Sequence, residues 1–256
     1  MFDGARRIRF RGLDLVVLKS ASNHRAQLAR YRDDLIRLAT YARGWGPEAV
    51  GPMGETFKIE PFFRATSLVL VFDRGRLCGT AGVDSDFSMQ QHDGAIFHLC
   101  SVNLLEDLRH NGLTAFFILL LVDELLTALP ASQTVYLTSI SQSPQVYRLL
   151  SRLAHVFPDG RQSPPADVRH VARAVAARYD PHITLDEDRL ILRNECAFFY
   201  RDFPTVADAD VNALFAAELD VAAGDVFVNV GKTKAAAARR AAERYRTRIH
   251  RSAEAA

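Results

Sequence analysis

The chain has three cysteines, Cys78, Cys100 and Cys196, far apart and in no CxxC spacing. That excludes a disulfide framework and a cysteine zinc site, and it leaves buried small hydrophobes in a reducing compartment as the expectation. Long apolar runs are also missing. The most apolar stretch, "AFFILLLV" at 115–122, stops at Asp123 and Glu124, whereas a bilayer span takes roughly 20 apolar residues. The N-terminal "MFDGARRIRFRG" lacks the apolar segment of a signal peptide. A cytoplasmic protein with a buried apolar helix and no membrane partner is therefore expected. The patterns HExxH, GxSxG, GxxxxGK followed by Ser or Thr, and the EF-hand loop are absent, which removes the chemistries they carry. "VGKTK" at 230–234 lacks the earlier glycine of a phosphate loop. His92 and His98 have no carboxylate cluster nearby in sequence, so no metal is expected.

What is present reads as a globular protein. Apolar residues make up 48% of the 256, and 32 Lys and Arg nearly balance 30 Asp and Glu. That length buries a real core, as one large domain or two small ones. From Lys232 to the end, eight Lys or Arg stand against two Glu, so the tail carries +6 and the rest −4; the basic character is assigned to the tail. The tail, "TKAAAARRAAERYRTRIHR", is rich in helix formers but has only Tyr245 and Ile249 as large apolar residues, so it should pack poorly alone. It lacks interleaved aromatics and any nucleic-acid motif. A solvated or dimer-packed helix is expected there rather than an RNA-binding arm.

"LDLVVLKS" at 13–20 reads as a first strand and "HRAQLARYRDDLIRLATYARG" as the helix after it, followed by a glycine- and proline-rich loop with the single tryptophan, Trp45. The runs 67–72 and 76–83 flank "DRG" as a hairpin. "GAIFHLCSVNLL" is a long strand, a helix follows from about Gly112 to Ala128, and "QTVYLTSIS" at 133–141 is another strand. "SPQVYRLLSRLAHVFP" reads as a short helix with Pro144 near its first turn. An extra helix falls at 165–178, and "DRLILRNE" and "GDVFVNVG" supply late strands on either side of a helical "DADVNALFAAELD". The sum is an α/β (α+β) class domain over 1–232 with a helical insertion around 159–188, then a basic C-terminal helix over 233–256.

One stretch stands out. "LRHNGLT" at 108–114 lies between two apolar runs. A strand that ends in a basic, glycine-containing loop opening a helix is an anion site by construction: the first amides of the helix are unpaired, and its dipole is positive there. Gly112 allows close approach, Arg109 adds charge and Thr114 offers a hydroxyl. An ordinary strand-to-helix turn with a solvated arginine is the alternative.

"RHNGLT" resembles the R/Q-x-x-G-x-G/A signature of the GNAT N-acetyltransferase superfamily, in which the motif follows a long fourth strand and opens a long helix. The hairpin, "TVYLTSIS" and "SPQVYRLLSRL" are similar to that family's second and third strands, fifth strand and following helix, so the resemblance runs over roughly residues 13–158. It implies a mixed, mostly antiparallel central sheet with helices on both faces, here with extra helices in the C-terminal half. It also implies acetyl-CoA or another acyl-CoA as cofactor. The loop Arg109, His110, Asn111, Gly112, Leu113 and Thr114 would bind the pyrophosphate, backbone amides at Asn103, Leu104 and Leu105 would hold the pantetheine and polarise the carbonyl, and Ser143 would stand near them. Three positions depart from the pattern. Thr114 replaces Gly or Ala, no proline precedes the loop, and Ser141, Gln142 and Ser143 stand where an asparagine is usual.

Acyl transfer from a thioester to an amine needs the amine deprotonated, the oxyanion stabilised and the thiolate protonated. By resemblance, Tyr147 occupies the place of the proton donor; a core tyrosine is the alternative. His98, eleven residues before Arg109, is placed like histidines of the aralkylamine acetyltransferases, and imidazole as a side-chain type suits general-base work directly or through a water; a buried, hydrogen-bonded histidine is the alternative. Glu106 is an alternative base, though its loop position fits a solvated carboxylate; Asp84 and Asp86, at the end of the hairpin, are candidates to hold a cationic amine, ordinary loop acids being the alternative. The expected activity is acyl-CoA-dependent N-acylation of a small-molecule amine, by direct transfer through a tetrahedral intermediate. Acylation of a protein lysine or an aminoacyl-tRNA docked by the tail is a second reading, and a non-catalytic acyl-CoA-binding module a third. The apolar helix at 113–126 is expected to be covered within the monomer, a homodimer being the alternative.

Overall fold

A computed structural model describes residues 2–85, 94–109, 113–195 and 200–254. Their fold is mixed α/β, and every strand pair whose register is defined is antiparallel. The described residues form two compact units, one drawn from 1–86, 99–125 and 246–256, the other from 87–98 and 126–245.

The first unit begins with β1 (Arg6–Phe10), β2 (Leu13–Lys19), β3 (Ser67–Asp73) and β4 (Arg76–Asp84), hydrogen-bonded in that order and followed by the second half of β5 (Gly94–Leu104). Alternation divides the sheet into two faces. Val16, Leu18, Leu68 and Leu70 join a core with Leu28 of α1 (Arg25–Ala29), Leu35 and Leu38 of α2 (Arg32–Tyr41), and Phe62 and Phe63 of α4 (Glu60–Arg64). On the opposite face Phe10 stacks on Phe116 of α6 (Leu113–Thr127) at 4.0 Å. Leu113, Phe117, Ile118, Leu119, Leu121, Val122 and Leu126 of α6 are buried in the single chain.

In the second unit the order is β5, β6 (Thr134–Ser141), β10 (Val226–Lys234), β9 (Ile191–Leu192), β8 (Leu185–Asp186), with β7 (His155–Phe157) also on β10. Val226, Val228 and Val230 pack with Val168, Val171 and Val175 of α8 (Ala166–Tyr179). Phe227, on the other face, meets Phe215 of α9 (Ala209–Glu218), which in turn meets Tyr147 of α7 (Pro144–Leu150).

From the first strand to the helix with Pro144, the elements follow the order expected from the sequence. The differences are local. β1 is an additional edge strand whose arginines conceal its alternation. The helix expected over 24–44 breaks at Arg30 and Tyr31, where Tyr31 is held between Phe2 and Phe72. The expected glycine loop contains α3 (Val50–Thr56), and a single turn, α5 (Glu106–Arg109), stands between β5 and α6. The helix expected over 143–158 ends at Leu150, and "HVF" becomes β7. The tail forms α10 (Ala235–Glu254), and it does pack within the chain: Ala235, Ala238, Ala241 and Ala242 are buried. Small residues allow close approach where large apolar ones were sought.

Candidate functional site

The strand-to-helix segment is in the first unit. Ser101 lies within the continuous strand β5 with φ +56, a left-handed conformation rare in a non-glycine residue and of the kind that bends a strand. Its carbonyl accepts a 2.6 Å hydrogen bond from Thr80 Oγ1 of β4, which itself accepts one from Asn103 Nδ2 at 3.4 Å. The Ser101 hydroxyl is buried and has no hydrogen-bond partner among the described residues. Leu104 is buried against Gly79, where a Cβ would stand 2.7 Å from Leu104 Cδ1. The Leu105 amide bonds the Cys78 carbonyl at 3.1 Å, so it is committed to the fold. α5 then turns the chain, with Glu106 and Asp107 in its first turn.

Of the expected anion loop, the Arg109 backbone closes α5, Leu113 is buried and Thr114 half-buried at the start of α6. His110, Asn111 and Gly112, with Asp86, His92 and Cys196, lie outside the described residues. α6 has fifteen residues and no acidic side chain in its first turn. The positive end of its dipole is therefore not neutralised from within the helix, and a pyrophosphate is chemically suited to that end. Asp84 ends β4 with 5% exposure, so it is not the loop acid expected.

His98 and Tyr147 are in the second unit. His98 Nδ1 is 2.9 Å from Thr138 Oγ1 of β6, and the ring is half-buried. Tyr147 is 7% exposed. Its hydroxyl donates toward the Pro158 carbonyl at 2.9 Å, with the Val156 carbonyl 3.3 Å away. Burial, reinforced by the carboxylates of Asp159 and Asp208 against the opposing Arg161, pushes this phenol up to about 12. Ser143 precedes α7, is buried, and donates its amide to Ser141 Oγ at 2.8 Å.

Three groups escaped sequence reasoning. Thr80 and Thr138 are single polar residues within strands, and only pairing across tens of residues brings them to Ser101 and His98. Tyr136, Asp167 and Lys232 form a third: Asp167 Oδ2 accepts from the Tyr136 hydroxyl and from Lys232 Nζ, both at 2.6 Å. A shallow cavity of about 670 Å³, lined by Arg193, Phe203, Leu219 and Asp220 among others, holds none of the expected site residues. Among the described residues no three His, Cys, Asp or Glu side chains cluster as metal ligands, and no helix is long and apolar enough to cross a membrane.

No family model and no curated protein matches the sequence. Solved structures do. A candidate acetyltransferase from Pyrococcus horikoshii is similar with a TM-score of 0.38 and 13% identity, over 57% of this chain and 43% of that one. A candidate GNAT-family acetyltransferase from Chromobacterium violaceum scores 0.37 at 16% identity, over 92% and 93%. An aminoglycoside 6'-acetyltransferase type Ii scores 0.31 at 18%, over 56% and 86%. The chain thus spans less than half the length of the first. At such scores the likeness decides nothing about chemistry, which is argued from the residues themselves.

Proposed function

We propose that this protein is an acyl-CoA-dependent N-acyltransferase of GNAT type acting on a small-molecule amine. The observation that carries the reading is the passage from β5 through "LRHNGLT" into α6, a fifteen-residue helix whose first turn has no acidic group. Leu113 and Thr114 would offer their amides to the pyrophosphate, Arg109 its charge, and Gly112 the room for close approach. When bound, the cofactor supplies an activated thioester. The left-handed Ser101, bonded by Thr80, would orient the amides at Asn103 and Leu104 that would polarise the carbonyl; Leu105 would contribute packing, because its amide is already paired. His98, oriented by Thr138, would take the amine proton directly or through a water. Tyr147 holds its proton on a backbone carbonyl, so protonation of the sulfur by Tyr147 would require that bond to break.

Thermal melting with acetyl-CoA, longer acyl-CoAs and free CoA tests the reading, because a ligand that binds only the native state must raise the midpoint. A rise in wild type that Arg109→Ala with Gly112→Asp abolishes is the expected result, to be followed by thiol-release screening of amines. No rise with any CoA species overturns acyl transfer.

A further inference from the structure

The tail is not the only basic segment. Residues 1–32 hold eight Lys or Arg against Asp3 and Asp14, again +6, and all eight cations are exposed. Four of them, Arg6, Arg7, Arg9 and Arg11, lie on or beside β1, the outer edge of the sheet in the first unit. Several of the tail's cations are engaged within the chain. Arg246 bridges Asp123 at 2.8 Å, Arg239 bonds the Leu129 carbonyl, Lys232 bridges Asp167 and Lys234 bonds Thr134. Arg7 and Arg9 make no hydrogen bond or ion pair among the described residues.

We infer that the β1 edge, through Arg7 and Arg9, docks an acidic, extended segment of a partner protein. Among the described residues β1 pairs with β2 alone, so its other side offers a row of backbone donors and acceptors to an added strand. Arg7 and Arg9 stand opposite Val16 and Asp14 in register and project to one face, about 6.7 Å apart along the strand. An antiparallel strand with acidic residues at alternate positions would place its carboxylates against them, where opposite charges stabilise cross-strand pairs. A second copy of this chain is disfavoured at the same edge, because arginines would oppose arginines. Single-stranded nucleic acid is disfavoured too. Its bases need aromatic faces for stacking, and the nearby rings are used internally: Phe10 stacks on Phe116, and Phe2 on Tyr31 with His24 at its edge. The inference does not depend on acyl transfer and is tested without any CoA species.

The probe is a fluorescein-labelled peptide of about eight residues alternating Glu with Val, a length that covers the five residues of β1, followed by fluorescence anisotropy at low salt. Saturable binding is expected. Arg7→Glu with Arg9→Glu should weaken it by about tenfold or more, and the milder Arg7→Gln with Arg9→Gln by less, with melting temperatures confirming that both variants fold. Arg240→Glu with Arg244→Glu changes net charge equally on exposed positions of α10 and should leave affinity within about twofold. A peptide of the same charge with proline at the alternate positions cannot complete a ladder and should bind less. The inference is overturned by absence of binding, by equal loss in the α10 variant, by equal binding of the proline peptide, or by an oligoribonucleotide of equal charge binding more tightly.

Discussion

Ser101 combines a left-handed backbone with a buried hydroxyl that has no hydrogen-bond partner among the described residues. A left-handed serine within a strand costs on the order of 1–3 kcal/mol, which the surroundings must offset, and its buried hydroxyl adds an unmade hydrogen bond. Ser101→Gly relieves both, so its urea midpoint should equal or exceed that of wild type. Ser101→Val adds β-branching at a conformation it resists and should lose about 2 kcal/mol or more. If Val and Gly have equal midpoints, the kink is not strained. Tyr147 poses the opposite problem, a polar group whose partners are all internal. Tyr147→Phe should cost about 1 kcal/mol in stability and leave acyl-CoA affinity unchanged. A fall in turnover of a hundredfold or more at full cofactor occupancy, on the order expected for a lost proton donor, would return the phenol to the proton path. Neither environment was legible in the sequence. A left-handed residue is usually announced by Gly, Asn or Asp, and Tyr147 reads the same as core or catalyst until its carbonyl partners are seen. His98 was legible as a candidate base inside a strand, but its partner is forty residues away.

At the scale of elements, legibility followed the strength of the apolar pattern. The hairpin β3–β4, then β5, α6 and β6, have long apolar or alternating runs, and their ends fall close to where the sequence placed them. β1 was hidden because arginines on both faces erase its alternation, and β7 because three residues carry no periodicity. α10 was misjudged for a physical reason: helix packing was sought through large side chains, whereas Ala235, Ala238 and Ala242 let the backbone approach with almost no exposure. Arg152 also lies over the Tyr245 ring at 4.8 Å. Ala238→Asp would bury an unpaired carboxylate and should cost about 3 kcal/mol or more by urea denaturation. Arg240→Ala, exposed on the same helix, should stay within about 0.5 kcal/mol. Equal effects at the two positions would mean that α10 is not packed in solution. Removing 235–256 should accordingly lower stability, rather than abolish only the docking of a large substrate.

At the scale of the molecule, burial of acidic hydrogens couples stability to alkaline pH. Burial pushes the Cys78 thiol up to about 11, with Asp73 adding to the effect, and the Cys100 thiol up to about 12, with Asp84 adding; it also pushes the Tyr147 phenol up to about 12. Tyr136 is raised as well, by burial and by its bond to Asp167. Each group is raised above its value in the unfolded chain, so the folded state holds these protons more tightly. The contribution is fully present below the unfolded values, near 9 for the thiols and 10 for the phenols. It is lost as pH rises toward the folded values. Within that window each group steepens the fall by up to about 1.4 kcal/mol per pH unit. Urea midpoints measured at pH 8, 9, 10 and 11 should therefore be level at first and then decline with a slope that grows as the phenols join the thiols. Cys100→Ala removes one of the titrating groups and should flatten the decline between pH 9 and 11, even though the lost packing lowers the midpoint at pH 8. An unchanged slope in that variant would mean that Cys100 ionises in the folded protein as freely as in the unfolded chain. It would then not be the buried thiol that its Sγ contact to the Pro61 carbonyl at 3.7 Å describes.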